Sequence, residues 1–151
     1  MEIRRGDPSA PAVAALIALH QGEARASTPI DNAHVLDAAE LAAPGIELWT
    51  AWAGDTLLGM AALREGDGQT GEVKSMRTAA AARRRGVARA LLAHLVAIAR
   101  ARGYRRLSLE TGTAPMFAAA NRLYEDAGFV DGAAFGGYPA SPHNRFMHLN
   151  L

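Results

Sequence analysis

Apolar side chains recur along this chain in two rhythms, and each switch between them marks a change of element. Glu2–Arg5 opens as a short strand, and Asp7-Pro8-Ser9 punctuates. Val13, Leu16, Ile17 and His20 then fall at the i, i+3, i+4, i+7 spacing of one face, which predicts a helix over Ala12–Arg25. Pro29 breaks that pattern within Ser27–Asn32, and a second, short helix is predicted over Val35–Leu41, ended by Pro44-Gly45. From Ile46 the rhythm shortens. Glu47–Trp52 alternates loosely, Gly54-Asp55 supplies a turn, and Leu57–Leu63 resumes, the pattern of a β-hairpin. A polar, glycine-rich loop over Glu65–Gly71 leads into Glu72–Thr78, a third strand that could pair with the hairpin.

Val87–Arg102 carries the clearest helical pattern, with Val87, Leu91, His94, Leu95 and Ile98 on one side and Gly103 where a C-terminal cap belongs. Leu107–Glu110 reads as a short buried strand, and Met116–Asp126 as a helix stopped by Gly128. Phe129 and Val130 begin a strand, Gly132–Pro142 is a Gly/Pro-rich loop, and Arg145–Leu149 closes the sheet. The predicted order is β-α-α-β-β-β-α-β-α-β-β, an α/β domain of the mixed α+β kind spanning residues 1–151 without repeats or linkers.

Composition narrows the chemistry. Half of the 151 residues are hydrophobic and 21% charged, a balance that favours a packed core over disorder. The formal net charge of +1 gives no global reason to expect nucleic acid or a membrane as partner. With no cysteine there is no disulfide, no thiolate metal site and no cysteine nucleophile. The five histidines are scattered without metal-ligand spacing, so no metal is expected; His94, on an apolar helix face, reads as a core residue. Met1–Pro8 lacks the apolar run of a signal peptide, and no stretch approaches the ~18 apolar residues of a membrane span, so a cytoplasmic protein is expected.

The junction Thr78–Ala88 joins a strand to the start of the best helix. First-turn amides have no intrahelical partner and the helix dipole favours negative charge there. Gly86 and Ala88 keep side chains small, and Arg83, Arg84 and Arg85 add positive charge, which together would cradle a pyrophosphate. Neither the Walker loop nor the dinucleotide fingerprint is present, which disfavours ATP and NAD. Taken alone, the arginine run reads equally as a solvated cluster. Further on, Asn121 and Tyr124 stand three apart on one helical face, Leu123 pointing to the core and Gly128-Phe129 leading into the next strand.

Arg83-Arg84-Arg85-Gly86-Val87-Ala88 resembles the Gln/Arg-x-x-Gly-x-Gly/Ala motif of the GNAT superfamily of N-acetyltransferases, and Asn121–Phe129 resembles that family's Asn-x-x-Ala/Leu-Tyr-x-x-x-Gly-Phe, with Leu123 at the variable apolar position. The resemblance covers Ile46–Val130 and the order of elements throughout. Gly71–Arg77, Ser108–Gly112 and the tail from Phe135 to Met147 further resemble a bacterial subgroup, the YsnE-like acetyltransferases.

The resemblance implies a mostly antiparallel, twisted sheet of six to seven strands, about four flanking helices and a fourth strand splayed from the fifth. It implies acetyl-CoA as co-substrate. Met76, Arg77 and Thr78 would pair with its pantetheine arm, Arg83 would add charge with its neighbours, and the amides of Arg84, Arg85, Gly86, Val87 and Ala88 would bind the pyrophosphate. Asn121 would contact the pantetheine or its sulfur end. A base must free the acceptor amine of its proton: Glu72 is the first candidate and Glu110 the second. Tyr124 would protonate the departing thiolate. With no cysteine to carry the acetyl group, direct transfer to a primary amine of a small molecule or peptide is implied.

Tyr138, His143 and Arg145 lie where a wall of the substrate pocket would form, whereas Trp49 and Trp52 are expected to pack in the hairpin. Two other classes stay open on sequence: a non-catalytic acyl-CoA sensor and a nucleic-acid module using the arginines. The acceptor is set by Ser27–Leu41 and Phe135–Arg145, and such domains commonly form homodimers.

Overall fold

The structure, a computed structural model, describes residues 1–28 and 34–151. The predicted order of elements is the observed one: β1 (Glu2–Arg5), α1 (Pro11–Ser27), α2 (Ala38–Leu41), β2 (Ile46–Ala53), β3 (Thr56–Glu65), β4 (Thr70–Thr78), α3 (Val87–Ala101), β5 (Arg106–Gly112), α4 (Ala118–Asp126), β6 (Val130–Asp131) and β7 (Asn144–Asn150). The seven strands form one sheet in the order β1-β2-β3-β4-β5-β7-β6, antiparallel everywhere except between β4 and β5.

Boundaries moved where local chemistry decides them. The second helix begins at Ala38 because Asp37 caps it, accepting from the Glu40 amide at 2.8 Å while Glu40 accepts from the Asp37 amide at 3.2 Å. Val35 and Leu36 therefore lie outside it. Pro115 opens a short 3-10 turn, Pro115–Phe117, so α4 starts two residues later than Met116. The loop expected over Glu65–Gly71 shrinks to 66–69, since both its ends join the ladder. The break expected over Ser27–Asn32 falls largely on residues 29–33, outside the described residues.

Both faces of the sheet are covered. Ala61 and Leu63 of β3 pack with Val87, Leu91, Leu92 and Leu95 of α3, and Tyr124 and Phe129 join that cluster. Met60 and Ala62, alternate residues of the same strand, pack instead with Val13, Leu16 and Ile17 of α1 and Leu41 of α2. Leu91 is fully buried, and truncating it to Ala would cost about 2–5 kcal/mol. His94 is half-buried rather than a core residue, its ring edge-on to Trp49 at 4.4 Å. Trp52 donates to the Thr50 hydroxyl of its own strand at 2.9 Å, whereas Trp49 packs across to α3.

Two irregularities of β4 open the middle of the sheet. Ser75 and Met76 stand opposite Ala61 alone, a bulge in which Ser75 has φ +55°. β4 and β5 pair only from Thr70–Arg106 to Val73–Leu109, whereas β5 continues with β7 to Gly112–Asn144. Beyond Val73 the two central strands part.

Candidate active site

A cleft of about 840 Å³ fills that parting, a volume ordinary for a small-molecule site. Along its walls the facing edges of β4 and β5 carry backbone groups that no strand among the described residues pairs. Met76, Arg77 and Thr78 line it, on the residues after the bulge. Phe117 closes over Gly112 at the end of β5, where a Cβ would stand 2.3 Å from the Phe117 ring.

At one end the chain leaves β4 through the short turn Ala80–Ala82 and enters α3. Arg84 has φ +65° and Gly86 has φ +77°, so this stretch folds into a concavity of amides. Gly86 is the N-cap of α3 and no side chain among the described residues caps that helix, which leaves its first-turn amides available to an anion. A Cβ on Gly86 would meet no atom within 4 Å, so the cradle is open at that point. Arg83, Arg84, Gly86, Val87 and Ala88 line the cleft; Arg85 does not. These features fit a pyrophosphate.

Tyr124 reaches the cleft from α4 with its ring in the core, 6% exposed. Burial pushes its phenol well above the usual tyrosine range, so the hydroxyl keeps its proton at neutral pH. Leu123, expected to be the core residue of the pair, is only half-buried. Asn121 does not line the cleft: it accepts from the Thr111 hydroxyl at 2.7 Å and donates to the Gly112 carbonyl at 3.0 Å, fastening α4 to the end of β5.

At the other end the carboxylates part ways. Glu110 lines the cleft, both its oxygens within reach of His34 Nδ1, at 2.8 and 2.6 Å, and Asn144 Nδ2 donates to it at 2.8 Å. Glu72, 8% exposed, does not line it. Its carboxylate accepts from Lys74 at 3.1 Å and from the Tyr138 hydroxyl at 3.3 Å, while Lys74 also donates to Tyr138 at 2.7 Å. Burial pulls the Lys74 ammonium down, but Glu72 and Tyr138 outweigh it and hold its pKa above the usual lysine value. Burial likewise raises Tyr138, against the pull of Lys74.

Tyr138 lies behind His34, ring centroids 5.0 Å apart and planes at 30°. Of the tail residues only His143 lines the cleft beside Asn144; Arg145 turns away to ion pairs with Asp131 and Glu125. From α1, His20 and Glu23 complete the wall, with Glu23 paired to Arg77. Burial pushes the His20 imidazole down to about 4, aided by the Arg77 charge and opposed by Glu23.

His34, Lys74 and Asn144 escaped sequence reasoning. His34 meets a carboxylate 76 positions away, and no local spacing encodes such a meeting. Among the described residues no group of three or more His, Asp or Glu could hold a metal ion, and no helix is long and apolar enough to cross a membrane.

Comparisons with known proteins agree on the class. The family described as Acetyltransferase (GNAT) family matches residues 13–129. The chain is 42% identical to the uncharacterized N-acetyltransferase YedL of Escherichia coli (strain K12), over 99% of this chain and 94% of that protein. It is 41% identical to the uncharacterized N-acetyltransferase YsnE of Bacillus subtilis (strain 168), over 100% of both. A GNAT family acetyltransferase from Elizabethkingia anophelis, solved with acetyl-CoA bound, shares the fold at a TM-score of 0.72 and 18% identity, over 99% of this chain and 97% of that one. With its split central strands and uncapped α3, this chain belongs to the GNAT family of acetyltransferases and is an acyltransferase enzyme.

Proposed function

We propose that residues 1–151 form one catalytic domain that moves the acetyl group of acetyl-CoA directly to a primary amine of a small molecule or peptide, both substrates being bound at once. The observation that carries this reading is one continuous cleft joining an anion cradle, free strand edges, a buried phenol and a carboxylate–imidazole pair. The amides from Arg84 to Ala88 would hold the pyrophosphate, with Arg83 and Arg84 supplying charge. The edge of β4 at Met76–Thr78 would pair with the pantetheine arm. Acetyl-CoA, as substrate, supplies the thioester.

Tyr124 would give its proton to the departing sulfur. A phenol above its usual pKa is a reluctant acid in water, but a thiolate formed in the same desolvated place is raised too, which keeps the transfer matched. Asn121 would act indirectly, by holding the end of β5 against α4. Glu72, locked to Lys74 and Tyr138, is worse placed than Glu110 to take a proton in the cleft.

Calorimetric titration with acetyl-CoA, with ATP and NAD as controls, tests the cradle, and thiol release across a series of amines tests the transfer. Selective micromolar binding with amine-dependent release is expected; no acetyl-CoA binding would overturn the reading.

A further inference from the structure

We infer that the base of this enzyme is His34, with Glu110 as the residue that positions it. This rests on the proposed acetyl transfer to an amine and names the group that takes the amine's proton.

The geometry is specific. Glu110 sits at the point where β5 leaves β4, its side chain 9% exposed, and both its oxygens face one nitrogen of His34. A carboxylate can only accept, so Nδ1 must carry hydrogen and the lone pair of a neutral ring falls on Nε2. Asn144 donates to the same carboxylate and holds it from the β7 side. Tyr138 stacks on the ring and is itself held by Lys74 and Glu72. Plane, tautomer and position of the imidazole are therefore each set by a different strand or loop. His34 remains 20% exposed in the cleft, the more open partner of the pair.

Among the described residues, the charged and titratable groups around it include Glu110, Tyr138, Lys74 and Glu72 on the packed side, with His143, His20, Glu23 and Arg77 lining the same cleft. In this arrangement Glu72 and Lys74 orient the stacking Tyr138.

The proton count closes. His34 Nε2 takes one proton from the ammonium, and the freed lone pair forms the C–N bond as the C–S bond breaks. The nitrogen sheds a second proton on becoming an amide, and that proton restores, through solvent, the one Tyr124 gives to the sulfur. The net release is one proton, which His34 passes to solvent.

Two measurements on the full chain test this. In 15N NMR of the side-chain imidazoles, with His34→Gln for assignment, neutral His34 should be the Nδ1–H tautomer, and Glu110→Gln should shift it toward Nε2–H. In steady-state transfer from acetyl-CoA to 2-phenylethylamine, spermidine or glycinamide, His34→Gln should lower kcat/KM for the amine about 10²-fold or more and remove one ionisation from its pH profile. KM for acetyl-CoA should hold, and Glu110→Asp should recover part of what Glu110→Gln loses. An Nε2–H tautomer in the wild type, or a His34→Gln enzyme with unchanged kcat/KM and pH profile, would overturn the assignment. Failure of the wild type to bind acetyl-CoA would instead strike the proposed function, leaving the tautomer to decide the pair.

Discussion

The Lys74 ammonium donates to the Tyr138 hydroxyl across 2.7 Å, a bond that ties the central strand β4 to the loop ahead of β7. Glu72 closes the triangle, and both charged residues are 8% exposed. Removing one charge strands the other, so Lys74→Met should destabilise by about 3–5 kcal/mol, whereas Lys74→Met with Glu72→Leu should recover most of that. Tyr138→Phe leaves a donor short and should cost about 1–3 kcal/mol. Urea denaturation of the four proteins checks the ordering.

The same triangle sets an alkaline limit. Lys74 and Tyr138 both have folded pKa values above their unfolded ones, so the folded state holds protons that the unfolded state releases. Their contribution is full below about pH 10, the unfolded range, and is lost as pH rises through the folded values. Stability measured from pH 8 to 11 should fall more steeply in the wild type than in the variant lacking both charges.

At acid pH the sign reverses and the residue is His20. Its pKa falls from 6.5 to about 4 on burial, so below pH 6.5 the unfolded chain takes a proton that the folded one refuses. Stability should therefore drop between pH 6.5 and 4, by about 2 kcal/mol at pH 5. His20→Leu should flatten that limb; a wild type equally stable at pH 7 and pH 5 would contradict the assignment.

Gly86 combines a left-handed backbone with open space about its missing Cβ. Gly86→Ala should cost about 1–2 kcal/mol of stability through φ alone. Gly86→Glu should lose a similar amount but also abolish acetyl-CoA binding, because its carboxylate would sit where phosphate must. Calorimetry alongside thermal melts separates the two effects.

Tyr124→Phe keeps the ring in the core and deletes only the hydroxyl. Turnover should fall about 10²-fold with acetyl-CoA affinity unchanged. Full activity across pH would remove Tyr124 from the acid role.

Much of this molecule was legible in sequence because its signals are local. A strand declares itself by alternation and a helix by a repeated face, which is why the order of elements from Glu2 to Asn150 was readable. The turn into α3 was readable too: Gly86 is the residue a left-handed backbone wants, and the first-turn amides of a helix have no intrahelical partner. Capping at Asp37 and the turn at Pro115 moved boundaries by a few residues only.

What the sequence could not determine is which side chains meet. Glu72 and Glu110 are alike as strand-end carboxylates, and only the divergence of β4 from β5 after Val73 puts one inside an ion pair and the other against the cleft. Asn121 reads as a ligand contact, and its bonds to Thr111 and Gly112 are visible only in the fold. His34 carries no local sign of chemistry at all; its partner lies 76 residues on, brought there by sheet pairing and long-range packing rather than by any spacing along the chain. Periodicity decides what each segment becomes, but the choice of partners is made by the surfaces those segments bury together.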